Sequence, residues 1–199
     1  MPKRYHKQRP KECVGCPLEP SNEKHDPKQH GPFVAPFCTC AAHSADEFGP
    51  EFRVVLPGCS ASLINVGMAP GPGEVATGMP LTGPAGRKNA AALEWGQSHL
   101  DGSKIDYMNI NLVNCRTQQP GLTRQLVNRD PTTPEIRECA KRFLAPLLQS
   151  LPETTIVRPL GQLVANHLFP RGLKYNETLN SRVKFSKAEV LRILTGDDQ

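Results

Sequence analysis

The 199-residue chain has no apolar run approaching the roughly 18 residues that a membrane-spanning helix needs, so a span of that kind is excluded. No signal peptide is visible at its start. The phosphate loop G-x-x-x-x-G-K-[ST] is absent, and no G-x-G-x-x-G opens a helix, so neither nucleotide-binding signature is supported. Hydrophobic residues are sparse at 38%, beside 20 prolines and 16 glycines, and the chain reads as loop-rich. Its seven cysteines are an odd number. The expected compartment is reducing, cytoplasmic and nucleoid-associated, where cysteines more often bind metal or do chemistry than form disulfides. A net charge of +5 and a pI near 8.9 are compatible with a nucleic-acid partner without requiring one. The length suits one domain, 1–199, with a real core.

What is present is concentrated in residues 63–87. Leu63 to Val66 read as a short buried strand. Gly67, Gly71, Gly73, Gly78, Gly83 and Gly86 follow in a Gly/Pro-rich loop, and a helix is predicted over 87–99. A strand that empties into such a loop places it at the carboxyl edge of a sheet, where α/β folds bind ligands. An ordinary surface loop has the same composition.

Around that stretch the chain alternates strand and helix. Arg53 to Gly58 leads toward the first core strand through a Pro-Gly turn. Residues 108–114 read as a second strand closed by Cys115-Arg116, and 117–134 as a loop. Thr133 is the expected N-cap and Pro134 the first helical residue. Ile136, Ala140, Phe143, Leu144, Leu147, Leu148 and Leu151 mark an amphipathic helix that Pro146 should kink or split. Residues 154–157 read as a third strand, Leu160-Gly161 as a turn, and 162–168 and 187–194 as helices. This alternation argues for a parallel sheet with helices on both faces.

The amino-terminal part differs. Lys3, Arg4, Lys7, Arg9 and Lys11 form either a solvated tail or a phosphate-contacting arm. Cys13-Val-Gly-Cys16 is a C-x-x-C pair that suits one metal site or a redox couple, and no β-α pattern surrounds it to favour the latter. Residues 17–50 show no sustained period and read as irregular, with His25, His30, Cys38, Cys40 and His43 in them. Cys38 and Cys40 could complete a zinc knuckle with Cys13 and Cys16, although two cysteines one residue apart are an unusual zinc spacing. Cys59 has no assigned role.

The motifs Gly67-x-Ala-Pro-Gly71 and Thr77-Gly-x-Pro-x-x-Gly-x-Ala-Gly86 resemble the first motif of the family 4, iron–sulfur uracil-DNA glycosylases. Asn111-Leu-Val-Asn-Cys115-Arg116, Asn128-Arg-Asp-Pro131 with Cys139 downstream, and Leu160-Gly161 resemble further phrases of that family. The resemblance implies an α/β three-layer sandwich with a central, mainly parallel sheet behind an irregular N-terminal segment. It makes 17–50 an insertion and 171–199 an atypical tail. It implies a [4Fe–4S] cluster on Cys13, Cys16, Cys115 and Cys139, with zinc as the alternative, and a structural role for it. The implied activity is hydrolysis of the bond between uracil and deoxyribose in base-excision repair. The implied partner is single-stranded DNA or a uracil-containing duplex, with no membrane.

The same resemblance assigns candidate roles. Asn111 would pair with the base edge, and Gly67, Met68, Ala69 and Glu74 would line the catalytic loop. Pro70, Gly71, Leu81, Gly83, Arg116, Asn128 and Arg129 would touch uracil or DNA. An asparagine tied only to backbone is the rival reading of Asn111. The chain departs from the family at three points. Met68 stands where a glutamate is expected and Leu81 where a phenylalanine is expected. The late His-Pro-Ser phrase is absent, His167-Leu-Phe-Pro170 being too early for it. Three expectations follow: a split protein needing a second polypeptide for that motif, a divergent site using Glu74 or Asp130, or a domain that binds DNA without cutting it. Arg171, Lys174, Arg182, Lys184 and Lys187 would make the last stretch basic.

Overall fold

The structure of the chain, a computed structural model, describes residues 13, 16, 30–40, 58–99, 104–123, 125–168 and 185–195. Three parallel strands form its centre: β3 (Leu63–Gly67), β4 (Tyr107–Asn111) and β7 (Ile156–Pro159). Two short antiparallel strands, β2 (Phe37–Cys38) and β8 (Phe185–Ser186), cover their edges in the order β2-β4-β3-β7-β8. A second sheet is antiparallel and runs β1 (His30–Phe33), β5 (Cys115–Pro120), β6 (Leu126–Asn128). The helices are α1 (Pro72–Thr77), α2 (Pro84–His99), α3 (Thr133–Cys139), α4 (Ala145–Ser150), α5 (Gln162–Leu168) and α6 (Lys187–Thr195). This is the expected α/β fold, with the parallel strands confined to the middle of a mixed sheet.

Strand alternation separates two chemically different sheet faces. Ile64, Val66, Met108, Ile110 and Val157 are fully buried in one cluster with Phe143, Leu144, Leu147 and Leu148. Each such side chain contributes on the order of 1.5–3 kcal/mol by leaving water. The opposite face carries a polar row. Asn65 donates to Asn109 at 2.9 Å and accepts from Arg158 Nε at 3.0 Å. Burial lowers the Arg158 pKa, and its Nη2 has no partner among the described residues.

Several sequence expectations shift. The 17–50 segment is not wholly irregular, because its described part supplies β1 and β2, one strand to each sheet. Phe33 of β1 packs on Phe143 with ring centroids 5.4 Å apart. Residues 117–134 hold β5 and β6 rather than a loop. Cys115 opens β5 and does not close β4, because the chain bends at 112–114 while Leu112 and Val113 still donate to the carbonyls of Gly67 and Met68. The third strand begins at Ile156, after Thr155 is turned back onto Pro152.

The long helix is interrupted as Pro146 requires, but upstream of it. Residues 140–144 widen into a π turn in which Ala145 N–H bonds the Ala140 carbonyl, and α4 restarts with Pro146 in its first turn. Its N-cap is Thr132, not Thr133. Glu135 reaches back to the Thr132 N–H at 2.7 Å, a reciprocal cap that Thr133 has no acidic partner to make.

Lys187 adds no basic charge to the surface of the last stretch. It is 2% exposed, and its Nζ donates to the Leu151 carbonyl at 2.8 Å and to Glu153 at 2.7 Å, tying α6 to the turn before β7. Replacing Lys187 with alanine leaves that carbonyl unpaired, a cost of about 2 kcal/mol. The expected melting temperature falls by roughly 4–8 °C. An unchanged melting curve would remove this tether from the account.

Candidate functional site

All three parallel strands end at one edge, and the registers set what meets there. Gly67, the last residue of β3, lies opposite Asn111, the last residue of β4. A side chain on Gly67 would collide with Asn111 Oδ1 and would come within 2.6 Å of Leu81 Cδ2. Glycine at 67 is therefore what lets the Asn111 amide and the Leu81 side chain close over the end of the strand.

Glu74 binds this arrangement together. It sits in α1, a short helix inside the stretch read as loop, and is 8% exposed. Its Oε2 accepts from Gly71 N–H at 2.7 Å, and its Oε1 accepts from Leu81 N–H at 2.6 Å and from Asn111 Nδ2 at 3.2 Å. One hydrogen of the Asn111 amide is thus engaged, and the amide plane is set. The second amide hydrogen is left for another acceptor.

Leu81 adopts a positive φ of 60°, the only described non-glycine residue that does so. A bulky side chain held in that region costs about 1–3 kcal/mol and is characteristic of functional loops. Gly86 makes it feasible, because any side chain there would run into the Leu81 backbone carbonyl. Changing Gly86 to alanine should displace Leu81 and lower stability by about 1–3 kcal/mol. Denaturant unfolding measures this, and a neutral result would mean that the loop relaxes freely.

The remaining predicted residues divide. Asn128 lies close to Gly71 and accepts from Arg116 Nε at 2.8 Å, which extends the strand-edge site along the β5–β6 hairpin. Pro70 is buried, and Gly83 has open space around it and needs no glycine on steric grounds. Met68 and Ala69 pack against the core, so the thioether at 68 is a packing group and not a substitute for a carboxyl. Arg129 is committed to Glu135 by two bonds of 2.8 and 2.5 Å, and that pairing raises its pKa. Asp130 is exposed, and its carbonyl accepts from Arg129. His167 faces a separate groove of about 750 Å³ between α3, α5 and α6, which none of Asn111, Glu74 or Leu81 lines. Burial, then the Arg137 charge, lowers its pKa. The basic residues at 3–11, at 171, 174, 182 and 184, and His25 and His43 lie outside the described residues.

The cysteines form two groups, all seven buried and none in a disulfide. Burial first, then the charges of Cys115, Cys16 and Cys13, push the Cys139 thiol well up, so each of those three sulfurs lies within electrostatic reach of Cys139. Asn114 N–H donates to Cys139 Sγ at 3.3 Å. Four buried thiols with a backbone N–H aimed at one of them are a donor set that suits a thiophilic metal centre. Cys38 and Cys40 do not join Cys13 and Cys16; they gather instead with Cys59, within 4.8 Å of one another. The alternative of a zinc knuckle on 13, 16, 38 and 40 is therefore not the arrangement present among the described residues.

A mixed sheet whose parallel strands end in a glycine loop, with a fixed asparagine at the rim, defines an α/β domain with the strand-edge arrangement at which such folds bind ligands. The chain belongs to the uracil DNA glycosylase superfamily, which residues 55–194 match. No curated protein is similar enough to be matched with it. Superfamily membership points to a glycosylase-like function on DNA. Among the described residues no helix is long and apolar enough to cross a membrane.

Proposed function

We propose that the protein is a uracil-DNA N-glycosylase, a hydrolase that removes uracil from single-stranded or duplex DNA in base-excision repair. The observation that carries this is the convergence of Asn111, Leu81 and Glu74 over Gly67 at the carboxyl edge of the sheet. A base leaves the stack at a cost of a few kcal/mol and must then be read by its edge and held by its face. Asn111 offers one N–H and a carbonyl oxygen to that edge, and Leu81 offers an apolar surface to the ring. Gly71, Asn128 and Arg116 carry the phosphodiester past the pocket.

In the reaction the bond between uracil N1 and the sugar C1′ breaks, and the electron pair leaves with uracil. Water adds its oxygen to C1′, and the proton it gives up passes through solvent to the uracil anion, so the products are neutral uracil and an abasic sugar. Asn111 N–H stabilises the negative charge that develops on the leaving base. The 67–71 backbone shapes the space for the water. Glu74 is a positioning residue, because both its oxygens already hold Gly71, Leu81 and Asn111 in place.

The thiols of Cys13, Cys16, Cys115 and Cys139 are the ligands we assign to a [4Fe–4S] cluster, which would act as a structural cross-link. Its ligands join the N-terminal segment to β5 and α3.

A second reading, a domain that binds DNA without cutting it, is favoured by Met68 packed against the core where an acid is expected. The deciding experiment incubates anaerobically purified protein with single-stranded and mismatched uracil DNA, then cleaves abasic sites with alkali. Strand cuts support the glycosylase. Salt-sensitive binding without cuts replaces it with the binding reading. Cuts that appear only when a second polypeptide is added make it one part of a split enzyme.

A further inference from the structure

We propose that Cys38, Cys40 and Cys59 hold a single zinc ion, a second metal site separate from the four-cysteine set and independent of the proposed activity. The three sulfurs lie 3.2, 3.6 and 3.6 Å apart and are 0%, 0% and 5% exposed with their residues. Zinc–thiolate bonds of about 2.3 Å in a tetrahedron set sulfurs about 3.8 Å apart, so small outward movements accommodate one ion. Each cysteine of a [4Fe–4S] cluster binds a different iron, and the third cysteine of a [2Fe–2S] cluster lies across the sulfide bridge from the first two, so three sulfurs this close are too tight for either. A disulfide would use two of the three sulfurs and leave the third, whereas one cation uses all three. Cys40 N–H also points to Cys38 Sγ at 3.5 Å, the kind of outer hydrogen bond that supports a thiolate ligand. The described residues supply three donors, and zinc's fourth position takes a water or another side chain.

The position in the fold gives the site a purpose. Cys38 pairs with Met108 in β2, the residue after it bonds Tyr107, and Cys59 stands just before β3, whose first residue pairs with Tyr107. The triad therefore clasps a two-residue edge strand to the amino ends of β3 and β4. A strand of two residues has little pairing of its own, and a metal clasp supplies the physical means of holding it. Asn111 and Gly67 lie at the other end of the same strands, so the ion takes no part in base removal.

The test measures zinc and iron in the full-length protein by elemental analysis and examines the zinc K-edge of the wild type by X-ray absorption. The expected result is about one zinc per chain with a sulfur-dominated shell near 2.3 Å. Cys59→Ser should reduce zinc to near none while iron and visible absorbance persist, which also reports that the variant has folded. Cys115→Ser should do the reverse. A wild type without zinc after growth in zinc-supplemented medium would overturn the site. So would a nitrogen- and oxygen-dominated shell, or a disulfide among the three cysteines in place of metal.

Discussion

Replacing Asn111 with alanine is expected to lower the rate of uracil removal by roughly two to three orders of magnitude. The amide is buried at the end of β4, with its plane set by Glu74, and it is the donor best placed to meet charge on the departing base. Asparagine to aspartate should be as damaging, since it removes the N–H and places two carboxyl groups side by side. Glu74→Ala should reproduce part of the loss, because it frees both Asn111 and Leu81. The double variant should then be little worse than Asn111→Ala alone, the sign of two residues acting as a unit. Single-turnover excision with uracil-containing oligonucleotides measures all four variants. Full additivity would show that Glu74 acts on its own account, and an active Asn111→Ala enzyme would remove the pocket from the mechanism.

The second large effect concerns stability. Cys139→Ala should abolish cluster iron and lower stability by on the order of 4 kcal/mol or more, the range in which loss of a structural metal falls. For a chain of this size that is roughly 8–16 °C in melting temperature. The thiol ends α3 beside Asn114, so losing the centre releases the N-terminal cysteines from the start of β5 and the end of α3 together. Iron content and visible absorbance separate this from a simple core cavity, which would leave iron in place. Full iron retention in Cys139→Ala would exclude that cysteine as a ligand.

The sequence alone was enough to locate the strand that ends in Gly67, the glycine loop after it, the long helix with Leu144, Leu147 and Leu148 inward, and Asn111 at the rim. These are local properties: periodicity, turn residues and a phrase of a few neighbouring positions set them. It also marked Glu74 as a candidate, and Met68 and Leu81 as departures. The placement of 30–38 was not legible, because β1 and β2 are stabilised by pairing with β5 and β4 and carry no repeating pattern of their own. The hairpin of β5 and β6 escaped for the same reason.

Only the tertiary structure decided which distant residues share a site. Glu74 and Asn111 are 37 positions apart and meet because parallel pairing ends β3 and β4 at one level. The role of Lys187 turned from surface charge to buried tether once α6 packed beside the Leu151 turn. Cys38, Cys40 and Cys59 became a triad because β2 folds back on β4 beside the entry to β3. Sequence spacing sets which residues can be neighbours along one element; register and packing across elements set which side chains touch, and chemistry follows from touch.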